Sequence, residues 1–178
     1  MELRTEEAKI IILSGKARSG KDTSMQIIKK KYESLGKKAI CLFYASYIKE
    51  YAKRISDWDG NDETKPRTLL QVLGTDIIRN TIDNKFFINR TIEDIKVYSK
   101  FFDVIIIGDA RFPEEIEDIK KVFSNVVSVH ITRKDMNILT ETEKQHITET
   151  ALDNYKEYDY VINNDGSIEE LESKLSEI

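Results

Sequence analysis

The segment Gly15-Lys16-Ala17-Arg18-Ser19-Gly20-Lys21-Asp22-Thr23 constrains this chain more than any other stretch. It follows the apolar run Ile10-Ile11-Ile12-Leu13. It leads into Met25, Ile28, Tyr32 and Leu35, which recur at helical spacing up to Gly36. An unbroken, mostly β-branched run reads as a strand buried on both faces, as in a parallel sheet. Glycines at both ends of a loop between such a strand and a helix let the backbone curl and turn its N–H groups inward as an anion nest. The helix N-terminus adds partial positive charge, and Lys21 is within reach of phosphate oxygens. The expectation is a nucleotide-phosphate cradle formed by Gly15, Lys16, Ala17, Arg18, Ser19, Gly20, Lys21, Asp22 and Thr23.

Asp22 stands where such loops usually carry a hydroxyl. A carboxylate beside a triphosphate is unfavourable unless a cation lies between them. Asp22 is therefore expected to help hold Mg²⁺ or to orient Lys21, with the Thr23 hydroxyl as the other candidate.

Similar apolar runs recur at Ala39 to Phe43, Val104 to Ile107, Val126 to Ile131 and Tyr160 to Ile162. Between them lie helical patterns: Leu69 to Ile78, Pro113 to Val122 with its proline near the start, and Ser167 to Leu175 with Ser167 as a cap ahead of Glu170. Asp57 to Lys65 is polar and reads as a loop. Strand and helix in alternation predict an α/β fold with a central, mostly parallel five-stranded sheet between helical layers. The 178 residues, 40% hydrophobic and 34% charged, fit one domain spanning 1–178. A helical region about 44–100 and a short lid about 133–150 are expected within it.

Composition excludes several classes. The net charge of −4 argues against general nucleic-acid binding, and Lys29-Lys30-Lys31 suits the cation-favouring end of a helix. No apolar run is long enough to span a bilayer. The charged stretch from Met1 to Lys9 lacks the apolar core of a signal peptide. The one cysteine, Cys41, cannot form an internal disulfide, so a cytoplasmic setting is expected.

Further candidates surround the loop. Val104 to Ile107 leads into Gly108-Asp109, and an acid after such a strand is expected to hold Mg²⁺. Arg111, two residues on, is expected to face the transferred phosphate. Arg67, Gln71, Thr75 and Arg79 recur every four residues along one helix. They read either as an acceptor site, its arginines gripping a phosphate and Gln71 a base edge, or as a solvated face. Gly74 inside that helix points to close approach of a ligand or of another backbone, or to simple helix packing. Arg133 is expected to close from the lid, with His146 and Glu149 either near the substrate or plain surface residues. His130 alternates within a strand and is expected to be structural. Asn163 and Asn164 end the last strand, as adenine contacts or as a plain turn.

These residues resemble those of the phage-type deoxynucleoside monophosphate kinases. GKARSGKDT with its Asp22, Lys65 to Arg79 with Leu70-Gln71 and Gly74-Thr75, Gly108-Asp109-Ala110-Arg111-Phe112-Pro113, and His146-Ile147-Thr148-Glu149 followed by Leu152-Asp153 and Asn163 are each similar to that family. Ala110 and Thr148 depart from it, where a larger residue and a serine are expected. The resemblance implies a nucleoside-monophosphate-kinase fold and ATP- and Mg²⁺-dependent conversion of a deoxynucleoside monophosphate to its diphosphate. By position it implies Lys21 on donor phosphates, Asp109 on the metal, Arg67 and Arg79 on the acceptor, and Arg133 in the lid. Phosphomevalonate kinases share the SGKD loop and are the main rival, with a non-catalytic nucleotide-binding regulator beyond them. The setting would be host cytoplasm if the gene is viral. A homodimer is left open.

Overall fold

The computed structural model describes residues 3–134 and 147–178. Five parallel strands form one sheet: β1 (Lys9–Ser14), β2 (Ala39–Leu42), β3 (Val104–Ala110), β4 (Val126–Thr132) and β5 (Tyr160–Asn163), in the order β2-β3-β1-β4-β5. Every pairing between neighbours is parallel, with Ile10 opposite Ile105 and Val126, and Ile11 opposite Ile106 and Val127.

The continuous apolar runs follow from a sheet covered on both sides. Alternate residues of β1 enter different cores. Ile11 and Leu13 pack with Met25 and Ile28 of α1 (Lys21–Ser34) and with Leu171 and Leu175 of the C-terminal helix. Ile10 and Ile12 pack with Ile88 and Ile95 of α4 (Phe86–Tyr98) and with Ile116 and Ile119 of α5 (Pro113–Val122). Ile10, Ile11, Ile12 and Leu13 are all fully buried. Each contributes about 1.5–3 kcal/mol. That outweighs the roughly 1–3 kcal/mol of strain at a single left-handed residue in the loop that follows.

Two helices left unassigned from sequence fill the region about 44–100. They are α2 (Ala45–Ser56) and α4, with Ala52 and Ile95 fully buried on their inner faces. The expected helix Leu69–Ile78 is longer. It starts as α3 (Arg67–Gln71) and continues as a π-helix from Val72 to Ile82, with the Asp83 amide reaching back five residues to the Ile78 carbonyl at 2.9 Å. Gly74 lies in this segment. A Cβ there would come within 2.9 Å of the end of the Ile48 side chain on α2, so the glycine lets two helices approach. A single turn, α6 (Ile147–Thr150), precedes β5. The last helix, α7 (Ile168–Leu175), starts with Ser167 accepting from the Glu170 amide at 3.3 Å. Most of the expected lid, and His146 with it, lies outside the described residues, as does the side chain of Glu149. Among the described residues no helix is long and apolar enough to cross a membrane.

Candidate active site

The carboxyl ends of β1, β3, β4 and β5 lie along one edge of the sheet, where open parallel sheets bind ligands. The loop after β1 has left-handed backbone at Gly15 (φ 143°), Arg18 (φ 61°) and Gly20 (φ 97°). Gly15 is required sterically: a Cβ would lie 2.4 Å from the Ile131 carbonyl oxygen. Gly20 caps α1, and a Cβ there would strike the Asn164 amide. Lys21 is 7% exposed. Its Nζ donates to the Gly15 carbonyl at 2.8 Å and the Lys16 carbonyl at 2.7 Å, so it is folded over the loop it follows. The buried hydroxyls of Ser19 and Ser24 have no hydrogen-bond partner among the described residues.

Asn164 is buried and donates to the Ser19 carbonyl at 2.9 Å, bracing the loop from below. Asn163 is engaged inside its own turn, donating to Asp165 at 2.8 Å and accepting from the Asp165 amide at 3.0 Å. Neither amide lines the cavities described next. Thr23 and Arg133 are exposed and line neither cavity, whereas Asp22 does.

A cleft of about 560 Å³ opens beside the loop. Arg18, Lys21 and Asp22 lie on one side, and the stripe Arg67, Gln71, Thr75 and Arg79 on the other. The structure thus brings all four stripe residues to one cavity. Its floor includes Asp109, Arg111, Phe112 and Glu115, and Phe43, Tyr44 and Phe87 add aromatic surface. A smaller cavity of about 290 Å³ is lined by Gly15, Lys16, His130, Thr132 and Tyr158. Arg111 and Thr148 border both. His130 is half-buried, 2.9 Å from the Ser14 hydroxyl and stacked on Tyr158 at 4.6 Å; burial and then Lys21 and Lys16 hold its pKa below the usual value. A salt bridge at 2.9 Å links Lys16 to Asp153.

Asp109 accepts from the Tyr44 amide at 2.8 Å and the Ala45 amide at 3.0 Å, which fixes the start of α2 to the end of β3. Burial pushes its carboxyl up, and the two amides pull it back. Among the described residues no three His, Cys, Asp or Glu side chains gather as a metal-binding cluster. Asp22 and Asp109 are a sparse pair, which fits Mg²⁺. That ion keeps several waters and binds through one or two carboxylates plus phosphate oxygens.

Glu115 was not anticipated, and Phe112 only as part of the segment Gly108 to Pro113, with no role of its own. Glu115 is 3% exposed. Burial raises its carboxyl to about 7, against the lowering effects of the Arg111 amide and the Arg79 charge. Between about pH 4.5 and 7 the folded chain holds a proton here that the unfolded chain has released. Stability from this group therefore falls as pH rises through that window. The wild type is expected to lose melting temperature relative to Glu115→Gln between about pH 5 and pH 8. Calorimetric melts of the two proteins across that range check this, and a constant difference removes the assignment. The only sequence signal for Glu115 was its place as the third residue of the proline-led helix α5.

A parallel 2-3-1-4-5 sheet with a glycine-rich loop between its central strand and the following helix is the fold of the P-loop kinases. Over 96% of each chain it is similar, with TM-score 0.59 and 14% identity, to the Mycobacterium tuberculosis APS kinase CysC solved in complex with AMPPNP and APS. More particularly, the profile of the deoxynucleotide monophosphate kinase family matches residues 36–175, and the chain belongs to that family. It is 35% identical over 119 residues to the deoxynucleotide monophosphate kinase of Escherichia phage RB69, covering 66% of this chain and 46% of that one. It is 31% identical over 115 residues to the enzyme of the same name from Enterobacteria phage T4, covering 64% and 45%. The aligned part spans about half the length of these curated relatives.

Proposed function

We propose that this chain transfers the terminal phosphoryl group of ATP to a deoxynucleoside monophosphate, giving the diphosphate and ADP. The observation that carries this reading is the shared cleft: the phosphate loop with Lys21 forms one wall, and the stripe from Arg67 to Arg79 forms the other. Phosphoryl transfer needs positioning and charge neutralisation more than covalent chemistry. The loop amides and Lys21 hold the donor phosphates. Arg111, bordering both cavities, faces the group in transit. Arg67 and Arg79 hold the acceptor phosphate in line. Mg²⁺, held by Asp22 and Asp109, would neutralise charge on the phosphate oxygens when bound. No general base is required, because a phosphate oxygen of the acceptor is already anionic at neutral pH.

The aromatic surface of Phe43, Tyr44, Phe87 and Phe112 favours a flat base as acceptor over the short aliphatic chain of phosphomevalonate. The test is a panel in which ATP and Mg²⁺ are offered with each dNMP, each NMP and phosphomevalonate. ADP release only with nucleotides is expected. Release with phosphomevalonate alone, or with no acceptor, overturns the reading.

Arg67 and Arg79 separate donor from acceptor. Arg67 is exposed and makes no ion pair among the described residues, whereas Arg79 pairs with Glu115 at 2.7 Å and Glu114 at 3.3 Å. Removing a charge-assisted phosphate contact costs about 1.5–3 kcal/mol, or about tenfold to a hundredfold in affinity. Arg67→Ala and Arg79→Ala are expected to raise the KM for the monophosphate by that factor, with ATP affinity within about twofold. Only Arg79→Ala should also lower the melting temperature, because it leaves Glu115 buried without its cation. Substrate titrations and melts of both variants decide it. Loss of ATP binding instead moves the stripe to the donor site.

A further inference from the structure

The floor of the larger cleft is held together by one side chain. Glu115 Oε1 accepts from Arg79 Nη2 at 2.7 Å, while Oε2 accepts from the backbone amides of Arg111 at 2.7 Å and Phe112 at 3.2 Å. The Glu115 carbonyl accepts from the Tyr44 hydroxyl at 2.6 Å, and the Tyr44 amide is held by Asp109. The Arg79 guanidinium lies 3.7 Å from the centre of the Phe112 ring, a stacked cation–π contact. Its side chain is 11% exposed. Three walls of the cleft therefore meet at Glu115: the π-helix through Arg79, the turn after β3 through Arg111 and Phe112, and the start of α2 through Tyr44.

We propose that Glu115 is a positioning residue for phosphoryl transfer, its single carboxylate fixing the Arg79 guanidinium and the Arg111 backbone at one separation so that Arg79 meets the acceptor phosphate while Arg111 faces the group in transit. The inference rests on the phosphotransfer reading above. A stability role alone does not explain the arrangement. A carboxylate taken out of water is costly even when paired, and well-packed apolar replacements for buried ion pairs are often neutral or stabilising. A cap for α5 needs only the backbone half of these contacts. The other half reaches across to Arg79, 36 residues away in sequence, on the wall that carries Arg67, Gln71 and Thr75. An arginine with four rotatable bonds loses entropy when it orders on a ligand. Holding Arg79 between Glu115 and the Phe112 ring orders it before the acceptor arrives, which is how preorganisation raises affinity.

Glutamine separates the two halves. At about pH 8, above the value of about 7 to which burial raises Glu115, the wild-type carboxyl is ionised; in Glu115→Gln the amide oxygen can still accept from the Arg111 and Phe112 backbone, but the amide nitrogen meets Arg79 donor to donor. The expected result is a folded protein whose Kd and KM for a deoxynucleoside monophosphate rise about tenfold or more, the size of one charge-assisted contact, with the KM for ATP within about twofold. In the double variant Arg79→Gln/Glu115→Gln the acceptor KM should rise no further than in the worse single variant, because both act through one contact. If Glu115→Gln does not fold, Glu115→Asp replaces it, keeping the charge but shortening its reach, with the same expectation. A lowered melting temperature with both KM values unchanged, equal loss of both substrates, or additive effects in the double variant would overturn the proposal. Calorimetric binding of the monophosphate keeps the two readings apart. A wild type that binds it without turnover fails the phosphotransfer reading, while the Kd of Glu115→Gln still decides the role of Glu115. A wild type that binds no monophosphate overturns both.

Discussion

Lys21→Ala is expected to lower kcat by about 10²-fold or more while the chain stays folded, the effect of losing a preorganised charge donor at a transferring phosphate. The residue sits at the first position of α1, and its ammonium lies over the loop on the Gly15 and Lys16 carbonyls. Those two contacts also give it a structural role, as a clasp on the loop, and the two roles differ in size. Losing hydrogen bonds from a charged group costs roughly 1.5–3 kcal/mol of stability, which the buried central strand can absorb. Losing charge stabilisation where negative charge develops costs about 2.7–4 kcal/mol of barrier. Turnover should therefore fall far more than the melting temperature implies. Steady-state kinetics and thermal melts on one preparation check this. A folded variant with near-normal kcat shows that Lys21 is a clasp alone.

Legibility in the sequence divided along a physical line. Short-range features were readable because local geometry fixes them. The strand Ile10–Leu13, the glycines at 15 and 20, and the helix Pro113–Val122 follow from burial on both faces, from left-handed backbone and from a proline that suits a first turn. The stripe from Arg67 to Arg79 was readable as a spacing, but whether it faced a cavity or solvent depended on α2, which packs across from it through Ile48 and Gly74. Long-range polar contacts were not legible. Nothing in Asn164 announces that it reaches back 145 residues to the Ser19 carbonyl, and nothing in Glu115 announces Arg79. The π-winding from Val72 to Ile82 was hidden too, since an amphipathic pattern of that length reads as an ordinary helix.

Asp109→Asn is expected both to lower the melting temperature and to raise the Mg²⁺ concentration needed for half-maximal turnover by about tenfold, the loss of one charged ligand contact. The carboxylate has two duties visible in its surroundings. Its oxygens accept from the amides at 44 and 45, so it anchors α2 and places a negative charge at that helix start. It also lines the cleft with Asp22, beside Lys21 and Arg111. Asparagine keeps one acceptor oxygen but turns an amide donor toward a backbone N–H. That leaves a half-buried donor unmatched, at a cost of about 1–3 kcal/mol. The anchor role alone predicts a melting shift with an unchanged magnesium titration. A metal role alone predicts the reverse, because the helix start would find other partners. Asp22→Asn provides the comparison. Its side chain is exposed and makes no hydrogen bond among the described residues, so the variant should leave the melt unchanged and shift the magnesium titration by less. If neither variant moves that titration, the cation is not held by these carboxylates, and Asp109 is the pin that joins α2 to the end of β3.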